Sequence, residues 1–230
     1  MKYRKKLVVL SGAGSSAESG VQTFRDSDGL WENHRIEDVA SPEGFARNPQ
    51  FVLDFYNARR RQLDLVQPND AHRILAKLQD VLEVVIITQN VDDLHEKAGS
   101  QNVIHLHGEL RKARPVDSLT DIRIWNKDLN IGDLAEDGTQ LRPHIVWFGE
   151  MVPEMERAVE TAQTADYFLI VGTSMQVYPA AGLVSYVPES CEIFGIDPNP
   201  DSQFSAGATF FNTTATEGMR LFKEKLLERP

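Results

Sequence analysis

The chain has 230 residues, enough for one large domain or one domain carrying an insertion, and its 41% hydrophobic and 25% charged content is that of a soluble globular protein. A formal net charge of −10 argues against nucleic acid or an anionic membrane as the main partner. Cys191 is the single cysteine, which excludes an intramolecular disulfide and a cysteine-based zinc site.

The basic start, Met1 to Lys6, precedes an apolar run of only four residues, Leu7-Val8-Val9-Leu10. That run is too short for a signal-peptide core or a membrane span, so a reducing, cytoplasmic setting is expected. It predicts a short buried strand. Ser11-Gly12-Ala13-Gly14-Ser15-Ser16-Ala17 follows at once, with the spacing Gly-x-Gly-x-x-Ala. Gly12 permits a tight turn, Gly14 lets a pyrophosphate approach the backbone, and Ala17 allows close helix–strand packing. A dinucleotide fingerprint of this kind expects an acidic residue about 20 positions on, closing a second strand. Glu32 and Glu37 lie near that distance, but Trp31-Glu32-Asn33-His34-Arg35 shows no strand pattern. An ordinary dehydrogenase-type domain therefore fits poorly.

Val21 to Trp31 reads as a loop anchored by Phe24, Leu30 and Trp31. Residues 36 to 66 read as helical, with starts at Ser41-Pro42-Glu43-Gly44 and Asn48-Pro49-Gln50, and a further helix spans Ala71 to Leu78. Val84-Val85-Ile86-Ile87-Thr88 predicts a second buried strand, ending in Gln89-Asn90-Val91-Asp92. Val103 to Gly108 predicts a third. Residues 111 to 142 turn charged and rich in Asn, Asp and Gly, as expected of a small inserted module held by Trp125, Ile122, Ile124 and Leu129. Strands resume at His144 to Gly149, then at Tyr167 to Val171 before Gly172-Thr173-Ser174, and at Glu192 to Ile196 before Asp197-Pro198. Helices are expected from Pro153 to about Thr164 and from about Glu217 to Leu227. Alternating strands and helices predict a parallel α/β sheet, in which ligands bind at the carboxyl ends of strands. Five such ends here carry small or polar groups.

These segments resemble the sirtuin (Sir2) family. Gly12-Ala13-Gly14-Ser15-Ser16-Ala17-Glu18-Ser19-Gly20-Val21-Gln22-Thr23-Phe24-Arg25 looks like its NAD-binding segment. Gln89-Asn90-Val91-Asp92, His107-Gly108, Val146-Trp147-Phe148-Gly149-Glu150 and Gly172-Thr173-Ser174 look like its other blocks, in the same order. The resemblance runs roughly from Val8 to Leu226 and is nearest to bacterial NAD-dependent protein deacylases of the desuccinylase-type branch. It implies a Rossmann-like core over approximately 1–32, 73–110 and 143–230, a helical insertion at 33–72 and the small module at 111–142.

The resemblance also implies a reaction. The acyl-lysine carbonyl oxygen attacks C1′ of the nicotinamide ribose, nicotinamide leaves, and a base-activated ribose hydroxyl takes over the acyl group. Water then releases free lysine and 2′-O-acyl-ADP-ribose, so NAD is consumed. His107 is implied as the base, a role that suits a neutral imidazole near pH 7, and His105 as a bystander. Asn90 would orient the ribose or a water and Asp92 would bond the carboxamide; capping of a following helix is the alternative for both. Phe24 and Arg25 would lie in a mobile loop over the ribose. The nucleotide site would further include Gly12, Ala13, Gly14, Ser16, Ala17, Trp31, Gln89, Val91, Gly172, Thr173, Ser174, Asp197, Pro198 and Ala215. The family usually has Asn where Asp197 stands. Val146, Phe148, Gly149 and Glu150 would pair with the substrate backbone by strand addition.

Tyr56 and Arg59, at i and i+3, share one helix face. The resemblance assigns them to the distal carboxylate of a succinyl or malonyl group, which a guanidinium fork beside a phenol suits. The alternative is a solvated basic face, Arg59-Arg60-Arg61. Most sirtuins hold a structural zinc on four cysteines between the His-Gly and Phe-Gly blocks. Residues 111–142 contain no cysteine, so no zinc is expected. The expected partners are acyl-lysine proteins, with no nucleic acid or membrane partner and a monomeric state. NAD hydrolysis, ADP-ribosyl transfer and an inactive NAD-sensing module are the competing functions.

Overall fold

The computed structural model describes residues 4–22, 30–31, 34–199 and 207–227. In chain order the elements are β1 (Lys6–Ser11), α1 (Gly14–Ala17), β2 (Leu30–Trp31), β3 (His34–Arg35), α2 (Ile36–Val39), α3 (Pro42–Arg47), α4 (Pro49–Gln62) and α5 (Asp70–Leu78). There follow β4 (Glu83–Thr88), α6 (Leu94–Lys97), β5 (Val103–His105), β6 (Gly108–Pro115), β7 (Arg123–Ile124), β8 (Leu141–Ile145) and α7 (Met155–Ala162). The chain closes with β9 (Tyr167–Val171), a 3-10 helix (Ala180–Tyr186), β10 (Glu192–Ile196), β11 (Thr209–Phe211) and α8 (Ala215–Leu227).

Six strands form one parallel sheet in the order β11-β10-β9-β1-β4-β5. The apolar run Leu7 to Leu10 lies at its centre, with Val9 level with Ile86 on one side and Leu169 on the other. Because side chains alternate along a strand, Leu7 and Val9 face α5 and α8 with Leu75 and Phe222, while Val8 and Leu10 face α7 and the 3-10 helix with Ala158 and Leu183. Burial on both faces explains why β1 shows no polar alternation. The chain leaves β1 towards β4 and β5 and later returns on the other side as β9 and β10. The reversal flanks β1, so the turn after it opens onto a crevice between diverging connections.

The helix starts follow the capping signals. Ser41 Oγ accepts the Gly44 N–H at 2.9 Å and Asn48 Oδ1 accepts the Phe51 N–H at 3.2 Å, each just before a proline in the first helical turn. Asn69 and His72 cap α5 reciprocally.

The structure corrects three expectations and excludes one alternative. Leu30–Trp31 and His34–Arg35, read as having no strand pattern, form the short antiparallel pair β2–β3. His144 to Gly149 does not resume the main sheet. Its first residues belong to β8, which pairs antiparallel with β6 in a separate sheet of order β7-β6-β8, and residues 146–149 leave the strand. Gly108, at φ +79°, starts β6, and a Cβ there would lie 2.1 Å from the His144 carbonyl oxygen. Ile122 and Ile124 do not anchor the module, since both are exposed. Leu129 is the anchor, buried with Ala113, Ala135, Leu141 and Leu53 of α4, and Trp125 packs against this group. Finally, Arg60 is not part of a solvated basic face. It is buried, with Nε donating to the Leu110 carbonyl at 2.8 Å and Nη1 to Asn57 Oδ1 at 2.7 Å. Burial pulls its pKa down to about 10.

Asn57 fastens α4 to the module. Its amide donates to the Leu129 carbonyl at 3.0 Å and accepts the Leu129 N–H at 2.8 Å, as a paired strand would. Asn57→Ala strands these buried groups and the Arg60 donor. We expect it to cost about 2–4 kcal/mol in urea unfolding, whereas Ile124→Ala should change stability by less than about 0.5 kcal/mol.

Candidate active site

Four strand ends and the turn after β5 converge on a cavity of about 570 Å³. After β1, the Gly12 N–H donates to the Val171 carbonyl at 3.0 Å and the Gly14 N–H to the Gly172 carbonyl at 2.8 Å. Backbone thus meets backbone, with no room for side chains between. Gly172 sits at φ +62°, and a Cβ on it would lie 2.2 Å from the Ser15 nitrogen. Gly12, Ala13, Gly14, Ser16 and Ala17 line one wall, and Gly172, Thr173 and Ser174 continue it. Gln89 Nε2 donates to Thr173 Oγ1 at 2.9 Å and ties the ends of β4 and β9 together. Asp197 and Pro198 after β10 and Ala215 at the start of α8 extend the lining.

The other end of the cavity holds Trp31, Asn90, Val91, Asp92 and His107. Asn90 is buried, with its Nδ2 within 3.2 Å of the Gly12 carbonyl, 3.2 Å of Ser15 Oγ and 3.1 Å of Ser16 Oγ. Asp92 is also buried. Its Oδ2 accepts from Ser16 Oγ at 2.9 Å and its Oδ1 from the Leu94 N–H at 3.1 Å, so it caps the following turn while lining the cavity. Burial raises its pKa, against the pull of these two bonds. Ser16 therefore joins the glycine turn to both residues.

His107 and His105 have different surroundings. On one continuous strand, residues two apart share a face. Here β5 stops at His105, and the turn over 106–107 sends His107 into the cavity. His107 Nδ1 lies 3.0 Å from the Gln89 carbonyl, which only accepts, so Nδ1 carries the proton. Nε2 makes no hydrogen bond among the described residues. Burial lowers the His107 pKa, with the Gln89 bond opposing, so the imidazole is neutral near pH 7 with its Nε2 lone pair available.

Tyr56 and Arg59 of α4 line the same cavity. Tyr56 is fully buried, and its hydroxyl accepts from Trp147 Nε1 at 2.9 Å, leaving its own proton to donate. Arg59 is half-buried, stacks 3.9 Å from the Phe55 ring centroid and donates to the Phe55 carbonyl at 2.9 Å. Arg59 is the more accessible member of the pair.

Val146, Phe148, Gly149 and Glu150 line the cavity, but two details change their reading. The Glu150 carboxylate turns inward. It accepts from Arg142 at 2.6 and 3.0 Å, from Arg114 at 3.3 Å and from the Trp147 N–H at 2.8 Å. These bonds hold its pKa down despite burial. Glu150 thus shapes the segment from within. In addition, the amide N–H groups of Val146, Trp147, Phe148 and Glu150 are already bonded within the protein. Little of the amide edge of this segment is therefore left for a strand-adding substrate.

Phe24 and Arg25 lie outside the described residues. Every other residue expected in the site lines this cavity. Sequence reading missed Trp147 as a lining residue, although it sits inside a matching segment, and missed Glu18, which bonds Thr216 N and Oγ1 at 2.9 and 2.6 Å and so ties the glycine turn to α8. It also missed the polar layer beneath the site. Ser11 Oγ bonds Thr88 Oγ1 and His95 Nε2, each at 2.9 Å, and the His95 ring lies 4.8 Å from that of His72. Burial lowers both histidine pKa values, that of His72 to about 4.

The Sir2 family profile matches residues 12–179. An NAD-dependent protein deacylase of Bacteroides thetaiotaomicron is 50% identical over 233 residues, covering 98% of this chain and all of that protein. One of Helicobacter pylori is 52% identical, covering 97% of this chain and 98% of its own length. Among solved structures, a Sir2 homolog–NAD complex superposes with TM-score 0.86 at 40% identity, covering 98% of this chain and 90% of that one. A Sir2–p53 peptide–NAD⁺ complex superposes at 0.80 and 28% identity, covering 98% and 95%. With the glycine turn, the five convergent loops and the cavity-facing His107 in place, this chain belongs to the Sir2 family.

Proposed function

We propose that this protein is an NAD-dependent protein lysine deacylase that transfers the acyl group from lysine to ADP-ribose and releases nicotinamide. The observation that carries this reading is the placement of a neutral His107, with Nε2 unengaged, in the cavity shared by the glycine turn and the Val146–Glu150 segment. Full-length relatives near 50% identity carry the deacylase name. NAD, when bound, supplies the ribosyl acceptor and the nicotinamide leaving group.

The residues present fit that nucleotide. Gly12, Gly14 and Gly172 keep side chains away from the turn where phosphates would lie, and Thr173 and Ser174 add hydroxyls. Asp197, Pro198 and Ala215 would receive the adenosine end, with the Asp197 carboxylate accepting from ribose hydroxyls. Asn90 and Asp92 would orient the nicotinamide end. His107 Nε2 would take the proton from a ribose hydroxyl, with the Gln89 carbonyl holding the ring in the required tautomer. Phe148, half exposed at the cavity rim, would cover the acyl-lysine stem. Among the described residues no helix is long and apolar enough to cross a membrane. The finer reading is that carboxylated acyl groups such as succinyl are accepted alongside acetyl, through the Arg59 guanidinium backed by the Tyr56 hydroxyl.

His107→Ala should lower deacylation of an acetyl-lysine peptide by about 100-fold or more, followed as free lysine and nicotinamide. Wild-type kcat/KM should fall as pH drops through the His107 pKa, and that acid limb should lie below the ordinary histidine value of 6.5 because burial disfavours the cation. Arg59→Met should lower the succinyl-to-acetyl rate ratio by about tenfold or more. An unchanged ratio would remove the carboxylate reading and leave the deacylase reading standing.

A further inference from the structure

The two histidines flanking Leu106 grip consecutive carbonyls of the loop after β4. His107 Nδ1 takes the Gln89 carbonyl at 3.0 Å, and His105 Nδ1 takes the Asn90 carbonyl at 3.2 Å. Their second nitrogens differ. That of His107 makes no hydrogen bond among the described residues. His105 Nε2 lies 2.7 Å from Glu96 Oε1 of α6 and 4.0 Å from Glu109 Oε1 of β6, with only 8% of the side chain exposed. A carbonyl and a carboxylate are both pure acceptors. Meeting both requires two N–H donors, which only the imidazolium has.

We propose that His105 is a positioning residue for the deacylation assigned above, an imidazolium that clamps the Asn90 carbonyl and thereby fixes the Asn90 side chain in the site. The inference rests on that functional reading. Asn90 is also held at its backbone N–H and its side-chain Nδ2. Its N–H donates to Thr88 Oγ1 at 3.0 Å, and its Nδ2 is spent on the glycine turn. The His105 clamp closes the last backbone bond and leaves Oδ1 as the group without a hydrogen bond among the described residues. Burial opposes the charge on His105, but the Glu96 bond, the Glu96 and Glu109 charges and the Asn90 carbonyl outweigh it, so the pKa is raised. Glu109 is shared with Lys112, and the buried Asp92 and His95 behind the loop also feel the His105 charge. The clamp is complete below the raised pKa and is lost as pH rises through it, so His105 sets an alkaline limb while His107 sets the acid one.

The test compares the full-length wild type with Glu96→Gln and His105→Leu, measuring kcat and KM for an acetyl-lysine peptide against pH at saturating NAD. In Glu96→Gln the alkaline limb should move down by about one pH unit, and NMR titration of the His105 ring should show the same shift. In His105→Leu, kcat should fall about tenfold or more, with KM for the peptide within about twofold, and the alkaline limb should vanish. An alkaline limb unmoved in Glu96→Gln, or a His105 ring with one protonated nitrogen at pH 7, overturns the proposal even if His105→Leu fails to fold. Absence of acyl transfer by the wild type at every pH would instead strike the functional reading, and the ring titration would still decide the protonation of His105.

Discussion

The site depends on a place where two strand ends come so close that neither tolerates a side chain. The Gly12 and Gly14 amides reach across to the Val171 and Gly172 carbonyls, and Gly172 adopts a left-handed conformation to allow it. This contact locks the end of β1 to the end of β9 at the point where the strand order reverses. It presents a bare backbone wall to the cavity. It also places Ser15 and Ser16 where the Asn90 amide and the Asp92 carboxylate reach them. The Asn90–Asp92 end of the cavity is therefore built on the glycine-turn end. A fault in the glycine contact would displace Asn90 and Asp92 without touching either.

A second dependence runs from the small antiparallel sheet. Its buried arginines, Arg114 and Arg142, hold the Glu150 carboxylate, which in turn holds the Trp147 amide. The Arg142 guanidinium lies 3.2 Å from the Trp147 ring centroid, and Trp147 Nε1 reaches the Tyr56 hydroxyl. The module, the Val146–Glu150 segment and α4 thus share one connected set of contacts. Asn57 and Arg60 tie the same helix to the module from its other side. A buried charge cluster of this kind is a weak source of net stability, because desolvation offsets much of the attraction. Its effect is to fix the relative geometry of the three elements on this side of the cavity.

What was legible in the sequence follows the range of the forces involved. The strands at Leu7, Tyr167 and Glu192 announced themselves by local apolar runs, and the helix starts at Ser41 and Asn48 by capping chemistry within three residues. The convergence of strand ends followed from the α/β rule. What escaped was long-range. Nothing near Asn57 shows that its amide will pair with Leu129, seventy-two residues away. Nothing in Arg59-Arg60-Arg61 shows that the middle residue turns inward to Leu110. His144 to Gly149 looked like another core strand because its apolar residues are real. Their partners are β6 and α4, and only the pairing of β8 with β6 reveals that. The layer of Ser11, Thr88, His72 and His95 is scattered over four elements and has no local signature.

The central claim is that one cavity brings nucleotide cleavage and acyl transfer together at His107. The most direct test is the stoichiometry of a single reaction mixture of protein, NAD and acyl-lysine peptide, read by mass spectrometry. One nicotinamide released for each lysine freed, with the acyl group recovered on ADP-ribose, is the predicted result. Nicotinamide release with the peptide still acylated, or an acyl group recovered only as free acid while NAD stays intact, would contradict it.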